Sequence, residues 1–376
     1  VNDMDRRGVL IAETKRIFPD LMELKQQLEE DEIQSTFNAA CKCSYSELPV
    51  FGGQMQVLNK QMKDLKIELN SNFGQNETYD VFWTETKRAL LESGKKAICS
   101  IQAEGNNAKL TPAQEKGLEA IIVTIGRPAL LIQDGHFDKP KDPWADLEQH
   151  RSKIERIFPS VGRIEVSQHP TMDYAGTGFM VSDDIVMTNE HVANVFSRKG
   201  SGQWTFRYNS SIDFKEELGC PDSADFALTE VVGIHDVLDL ALIRVSSISS
   251  KPPKPLNIAS KKPETTTDRK VFVVGYPARD LRNDPNSMKG IFWNIYDVKR
   301  LQPGLMRKYL MADSGKQFTH DCSTLGGNSG SCVVDLESCE VVGLHYWGKY
   351  LEENRAFALW DYISDPLLIK ARVNFS

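Results

Sequence analysis

The sequence predicts an α-helical N-terminal domain followed by an all-β domain. In the first third of the chain, apolar residues recur at helical spacing, as Leu24 and Leu28 do. From Val161 onward, the chain changes to short apolar runs separated by turn residues, which is typical of β-barrels or a β-sandwich. We therefore expect a helical domain over residues 1–130 and an all-β domain over residues 161–376.

Several helices are expected within the N-terminal domain. The first has Leu21, Leu24 and Leu28 on one face, a second covers residues 58–69, and a third covers residues 81–92 and closes at Gly94. Amphipathic faces usually mark a packed core, which favours a structural domain. A regulatory or partner-binding module is the functional alternative.

The clearest helix start in this domain is at Thr111. Thr111 is suited to the N-cap, Pro112 fits the first turn, and Gln114 stands at the capping-box position. The apolar side of this helix consists of Leu118, Ile121, Ile122 and Ile125. Gly126 then predicts its end.

Residues 131–160 are expected to connect the two domains. Residues 127–132 are predicted to form a strand, residues 135–143 a linker rich in Lys and Pro, and residues 144–156 a short helix. The last predicted element is a closing helix over residues 361–373.

Composition narrows the class of protein. The chain has 376 residues and a formal net charge of −7. This charge gives no electrostatic reason to expect binding to nucleic acid or to an anionic membrane, and no apolar run approaches a membrane span. The chain opens without a signal sequence, so a cytoplasmic location is expected.

The seven cysteines fit the same compartment. An odd number without a leader favours free thiols in a reducing environment. Cys332 and Cys339 are spaced to face each other across a hairpin, so one disulfide stays an open alternative. Cys41 and Cys43 lack a second ligand pair at zinc spacing, and no metal or other cofactor is expected.

The stretch from Ser323 to Ser331 is the strongest functional signal. Ser329 lies two residues after Gly327 and directly before Gly330, and a nucleophilic serine needs a sharp turn that such glycines permit to expose its Oγ. The amides of Gly327 and Ser329 are candidate donors of an oxyanion hole. Ser331 replaces the last glycine of the G-x-S-x-G elbow, which excludes the α/β-hydrolase pattern.

A base and an orienting carboxylate precede this serine. His191 follows an apolar hairpin, and Asp239 opens the apolar strand Leu-Ala-Leu-Ile. The order His191, Asp239, Ser329 matches one of the known arrangements of the serine triad. Asp236 is a rival for the orienting role, but Asp239 adjoins the strand directly. His235 and His320 are expected to be incidental.

These motifs resemble the chymotrypsin-fold (trypsin-like) serine proteases, and within them the bacterial V8-like glutamyl endopeptidases. The resemblance rests on residues 188–192, 239–242, 274–277 and 323–331 and covers about residues 160–376. It implies an all-β double-barrel protease domain, a peptide or protein substrate and a triad at the barrel junction. The whole chain is more loosely similar to intracellular trypsin-like proteases of bacterial defence operons.

The V8-like resemblance also implies a specificity pocket for glutamate. The matching positions are Thr324 and His345, which would bind a substrate carboxylate by hydrogen bonds, with His345 protonated. Cys332 departs from the branch, which has proline there, and the long N-terminal extension displaces the terminal amine that the branch uses. A packed strand histidine is an equal alternative for His345.

Asn328 stands where trypsin-type zymogens have the aspartate that pairs with a freed N-terminus. A neutral amide cannot form that ion pair, so activation by that route is not expected. Two further functions stay open besides an active serine endopeptidase. One is a catalytically silent protease-like scaffold whose helices bind a partner, and the other is an esterase-like acyl hydrolase.

Overall fold

The structure is a computed structural model that describes residues 3–29, 92–140, 142–200, 202–246, 250–279, 291–292, 295–349 and 353–376. The chain divides into two compact units. One contains Val1–Gly126 with Pro285–Trp293, and the other contains Arg127–Asp284 with Asn294–Ser376. The helix predicted over residues 58–69 lies outside the described residues, and so do all but the last residue of the helix predicted over residues 81–92.

The described residues of the first unit are mostly helical. Its helices are α1 (Asp3–Ile17), α2 (Leu21–Glu29), α3 (residues 92–104) and α4 (Pro112–Thr124). The apolar faces predicted for α2 and α4 pack into one cluster with residues of α1 and α3. The N-terminus of α4 forms the predicted capping box, in which Thr111 and Gln114 exchange hydrogen bonds of 3.3 and 2.8 Å.

Gly94 does not end a helix as predicted. Helix α3 continues through Gly94 to residue 104. A Cβ at Gly94 would lie 2.4 Å from Ile121 Cδ1 and 2.8 Å from Gly117 O on α4. The glycine therefore permits close packing of two helices, a role that its sequence position does not distinguish from a helix end.

The second unit contains two closed six-stranded antiparallel barrels. The first barrel consists of β3 (Val161–Ser167), β4 (Tyr174–Ser182), β5 (Ile185–Thr188), β8 (Asn209–Asp213), β9 (Asp225–Ile234) and β10 (Ala241–Ser246). The short hairpin of β6 (Ser197–Gly200) and β7 (Gln203–Phe206) and helix α6 (Glu190–Phe196) lie between β5 and β8 in sequence.

The second barrel follows in sequence. It consists of β11 (Arg269–Gly275), β12 (Arg300–Ala312), β13 (Gly315–His320), β14 (Cys332–Asp335), β15 (Val341–Lys349) and β16 (Glu353–Ala358). A short helix α7 (Pro366–Lys370) lies near the C-terminus, where a longer helix was predicted. The double-barrel fold is confirmed.

Period-two alternation explains how the barrel strands pack. On β11, Val271 and Val273 belong to one apolar cluster, whereas Phe272 and Val274 belong to the cluster that also contains Phe179 of the first barrel. Successive side chains of a strand point to opposite faces. One face of β11 therefore fills the second barrel and the other joins an apolar core shared by both barrels.

The predicted connector belongs to the second unit. The strand expected before residue 133 is present as β1 (Leu130–Gln133), which pairs with β12 and with β2 (His136–Phe137). The linker predicted from residue 135 therefore begins inside a hairpin. The predicted short helix is a 3₁₀ segment (Ala145–His150) followed by α5 (Arg151–Ile154).

Candidate active site

Antiparallel pairing of β5 with β10 brings His191 and Asp239 together. Thr188 at the end of β5 lies opposite Ala241 at the start of β10, so the residues just beyond these strand ends meet. His191 Nδ1 lies 2.6 Å from Asp239 Oδ2, and the His191 amide donates to Asp239 Oδ1 over 2.9 Å. One carboxylate therefore contacts both the ring and the backbone of the histidine.

The neighbouring candidates are placed differently. Asp236 is exposed and makes no hydrogen bond or ion pair with His191 in the described part of the chain. His235 Nδ1 accepts hydrogen bonds from two amides of its own loop, over 3.0 and 2.9 Å, and His235 Nε2 lies 3.2 Å from Asp365 Oδ2. His235 thus stabilises the loop that carries Asp239.

Ser329 lies in a tight turn between β13 and β14. Gly327 and Gly330 have φ values of +86° and +87°, which glycine adopts without strain. The turn is bound to β4, because the Thr177 amide donates to Ser329 O over 2.9 Å and Thr177 Oγ1 donates to Gly327 O over 2.8 Å. Strand β4 of the first barrel therefore positions a turn of the second.

Gly176 lies where the serine turn meets helix α6. A Cβ at Gly176 would be 2.9 Å from both Ser329 O and Val192 Cγ2, and Val192 directly follows His191. Ser329 Oγ makes no hydrogen bond to a described residue. Such bonds often tighten only when a substrate is present. Ser329 and the histidine helix thus pack against the same glycine.

Two amides of the serine turn have no acceptor among the residues that the structure describes. They are the N–H groups of Gly327 and Ser329. The preceding carbonyl, Gly326 O, accepts a 2.6 Å hydrogen bond from the Ala278 amide. The C=O and N–H of a trans peptide point in opposite directions, so the Gly327 N–H points away from Ala278. Both amides are available to an external acceptor.

Polar groups pack closely against Gly327, on the side where a side chain would be. A Cβ at Gly327 would lie 2.4 Å from Tyr276 O and 2.8 Å from Tyr174 Oη. The Tyr174 hydroxyl donates to Asp297 Oδ1 over 2.8 Å, and the Asp297 amide donates to Pro277 O over 2.9 Å. Tyr174 and Asp297 were not predicted from the sequence, because their contacts join distant parts of the chain.

Asn328 is fully buried and has an amide partner in place of a charged one. Its Oδ1 accepts a 2.9 Å hydrogen bond from Gln302 Nε2, and Gln302 is fully buried as well. The partner lies on β12 and was not predicted. A glutamine within an apolar strand is the only sequence signal that pointed to it.

Thr324 and His345 each lie within hydrogen-bonding distance of a polar side chain on another strand. Thr324 Oγ1 lies 2.7 Å from Asn354 Oδ1, and Asn354 Nδ2 donates to Cys322 O over 2.7 Å. His345 Nδ1 lies 3.1 Å from His320 Nε2. His320 is opposite Asn354 in the β13–β16 register, so the two pairs are neighbours. His320 is therefore not incidental.

The expectation from the sequence that His345 is protonated is not supported. His345 is buried, and this burial lowers its pKa well below the ordinary value, with smaller contributions from His320 and His191. Burial also lowers the pKa of His320 to about 3. Both rings are therefore neutral near pH 7.

The cysteines that the structure describes are free thiols. Cys332 and Cys339 are free, so the open alternative of a disulfide between them is not realised. Burial raises the pKa of Cys332 to about 12, which leaves it as an unreactive thiol. Within the described ranges, no group of three His, Cys, Asp or Glu side chains is close enough to hold a metal ion. Nor is any described helix long and apolar enough to cross a membrane.

Part of the chain is similar to known peptidases. Residues 176–344 match the trypsin-like peptidase domain family. The chain is similar to a glutamyl endopeptidase of Staphylococcus epidermidis, with 26% identity over 300 residues, 78% of this chain and 89% of the relative. A glutamyl endopeptidase of Staphylococcus aureus is 26% identical over 219 residues, 57% of this chain and 59% of the relative.

Solved structures are similar as well. The active form of a protease from M. tuberculosis has 22% identity and a TM-score of 0.42, over 62% of this chain and 88% of that one. The family match spans the segment from the start of β4 to β15, which contains His191, Asp239 and Ser329. The chain therefore contains a trypsin-like peptidase domain with the chymotrypsin fold and is a serine endopeptidase.

Proposed function

We propose that this endopeptidase hydrolyses peptide bonds through Ser329 as nucleophile, His191 as general base and Asp239 as orienting carboxylate. The observation that carries the proposal is the two-point contact of Asp239 with His191, at 2.6 and 2.9 Å. Because Nδ1 donates to the carboxylate, the lone pair of Nε2 is left to accept a proton.

The reaction then follows from the positions of these groups. His191 Nε2 takes the proton of Ser329 Oγ as Oγ forms a bond to the substrate carbonyl carbon. The carbonyl π pair moves to the oxygen, which the amides of Gly327 and Ser329 stabilise. The tetrahedral intermediate expels the amine, which receives the proton from His191. Water then cleaves the acyl-enzyme by the same sequence of proton transfers.

The acyl-side residue is proposed to carry a terminal oxygen, which Thr324 and His345 would bind. Glutamate and glutamine both carry such an oxygen at the end of the side chain, and the similar staphylococcal proteins are glutamyl endopeptidases. The free thiols of Cys322, Cys332 and Cys339 are compatible with the cytoplasmic setting that we propose. The N-terminal helices are proposed to bind a regulatory protein in defence or regulatory proteolysis, which rests on sequence resemblance alone.

A fluorophosphonate probe tests the catalytic proposal. We expect the probe to label the wild-type chain at Ser329 and to leave a Ser329→Ala variant unlabelled, because only an activated serine displaces the fluoride. The labelled residue is identified by mass spectrometry of the digested protein. Absence of labelling in folded wild-type protein would favour the silent scaffold instead.

Substitution of Gly327 tests the oxyanion hole. A Gly327→Ala side chain would lie 2.4 Å from Tyr276 O at a φ of +86°, so the turn must shift and move its amide. We expect kcat to fall by about 10²–10³-fold, as when one oxyanion donor is lost, with a smaller change in KM. Gly202→Ala is the matched control, since Gly202 has a φ of +84° and open space around it. Equal activity of the two variants would contradict this role of Gly327.

A further inference from the structure

The hydrogen bonds around Thr324 and His345 define which oxygen-bearing side chain fits there. We propose that this pocket selects glutamine over glutamate on the acyl side of the scissile bond, and that Asn354 and His320 are the positioning residues that set this preference. The inference rests on the proposed function, because it assigns a substrate class to the same site.

Asn354 determines what the Thr324 hydroxyl offers to a substrate. Asn354 Nδ2 lies 2.7 Å from Cys322 O, and a carbonyl oxygen only accepts, so the orientation of the amide follows from this contact. Asn354 Oδ1 therefore faces Thr324 Oγ1 at 2.7 Å, and the hydroxyl must donate its proton there. Thr324 then presents a lone pair to the substrate.

His320 determines the tautomer of His345. His320 is fully buried, and its Nδ1 has no partner in the described part of the chain. A proton on Nδ1 would be a buried N–H without an acceptor, so the neutral ring carries its proton on Nε2. That proton is donated to His345 Nδ1 over 3.1 Å. The proton of neutral His345 is therefore on Nε2, as a donor.

One N–H donor and one lone pair are complementary to a primary carboxamide. The amide oxygen of glutamine accepts from His345 Nε2, and its NH₂ group donates to Thr324 Oγ1. A glutamate carboxylate would bring two acceptors and a negative charge to a site with one donor, which leaves an oxygen unpaired and a charge partly desolvated. Sites built on such hydrogen bonds reject an analogue that lacks the matching group.

Among the described residues, no lysine or arginine hydrogen-bonds to the side chains that would face that charge. None of the described hydrogen bonds of Thr324, His345 and Asn354 involves a lysine or arginine. Arg355 follows Asn354 on β16, so its side chain points to the opposite face of the strand. It is paired with Glu353 at 2.6 Å and lies 5.1 Å from the ring centre of Trp347.

The test uses peptides that differ only in glutamine, glutamate or alanine at the acyl-side position, with the full chain. We expect kcat/KM for glutamine to exceed that for glutamate by roughly tenfold or more near pH 7. Thr324→Val keeps the shape but removes the lone pair and should abolish this ratio. His320→Phe should lower it as well, by releasing the tautomer. Arg355→Gln should leave the ratio unchanged.

The pH dependence of the glutamine-to-glutamate ratio distinguishes this preference from a purely structural role of Asn354 and His320. Glutamate gains a proton as pH falls toward its ordinary pKa of about 4.3, and a carboxylic acid offers both a donor and an acceptor. The glutamine-to-glutamate ratio should therefore decrease from about pH 8 to about pH 5, whereas any effect of pH on the catalytic step is common to both peptides and cancels.

Two outcomes separate this inference from the proposed function. If the fluorophosphonate labels Ser329 but glutamate is preferred at neutral pH, or the ratio is unchanged by Thr324→Val, the inference fails and the catalytic proposal stands. If Ser329 is not labelled and no peptide is cleaved, both fail. If Arg355→Gln removes a glutamate preference, the carboxylate has a cationic partner and the carboxamide assignment is wrong.

Discussion

Ser329→Ala should lower kcat for a peptide substrate by about 10⁶-fold, since the members of such a triad act as a unit. His191→Ala should lose a comparable amount, because the serine hydroxyl then has no base. The double variant should be no worse than either single variant. Additive losses would show that the two side chains act independently, which would contradict the proposed mechanism.

Neither substitution should unfold the protein. The side chain of His191 is half exposed, and Ser329 Oγ bonds to no described residue, so little packing is lost. Far-UV circular dichroism and the thermal midpoint should match those of the wild type. Ser323→Ala is the control on the same segment: its Oγ donates to Arg127 O over 2.7 Å and should not take part in the chemistry. Near-wild-type turnover by Ser329→Ala would remove the assignment of the nucleophile.

Local chemistry explains what the sequence predicted well. A capping box, a turn that requires glycine and a strand that alternates apolar residues are each encoded within a few neighbouring positions. The start of α4 at Thr111 and the glycines around Ser329 are of this kind. Both could be located without knowing which strands pair.

Register explains what the sequence did not predict. The contacts of Asp297 with Tyr174, of Gln302 with Asn328 and of His320 with His345 each join strands or loops that are far apart in sequence. Only strand pairing brings them together. A buried polar residue in an apolar strand signals that a partner exists, because an unpaired polar group is costly, but it does not identify the partner.

The buried hydrogen-bonded pair of Asn328 and Gln302 helps to position the serine turn. Asn328 Oδ1 accepts a hydrogen bond from Gln302 Nε2 inside the second barrel. The backbone N–H of Asn328 donates to Leu325 O over 3.1 Å. These two bonds hold the residue before Ser329 from both its side chain and its backbone. The turn is thus positioned by groups of the barrel itself.

Asp239→Asn is expected to lower kcat by about 10⁴-fold through the tautomer of His191. The wild-type carboxylate accepts from the His191 amide at 2.9 Å and from its Nδ1 at 2.6 Å. A backbone N–H can only donate, so the oxygen of the new amide must face it. The NH₂ group then faces Nδ1, which has to become an acceptor.

This inversion moves the ring proton to Nε2, where it blocks proton transfer from Ser329. The backbone contact of His191 thus decides which way the asparagine turns, and the fold is retained. The measurement is kcat across pH together with a nitrogen-15 NMR spectrum of the labelled imidazole, which reports the tautomer. Asp236→Asn is the matched control, because Asp236 is exposed and makes no hydrogen bond or ion pair with His191 in the described residues. Comparable losses in both variants, or an Nδ1-protonated ring in Asp239→Asn, would contradict this account.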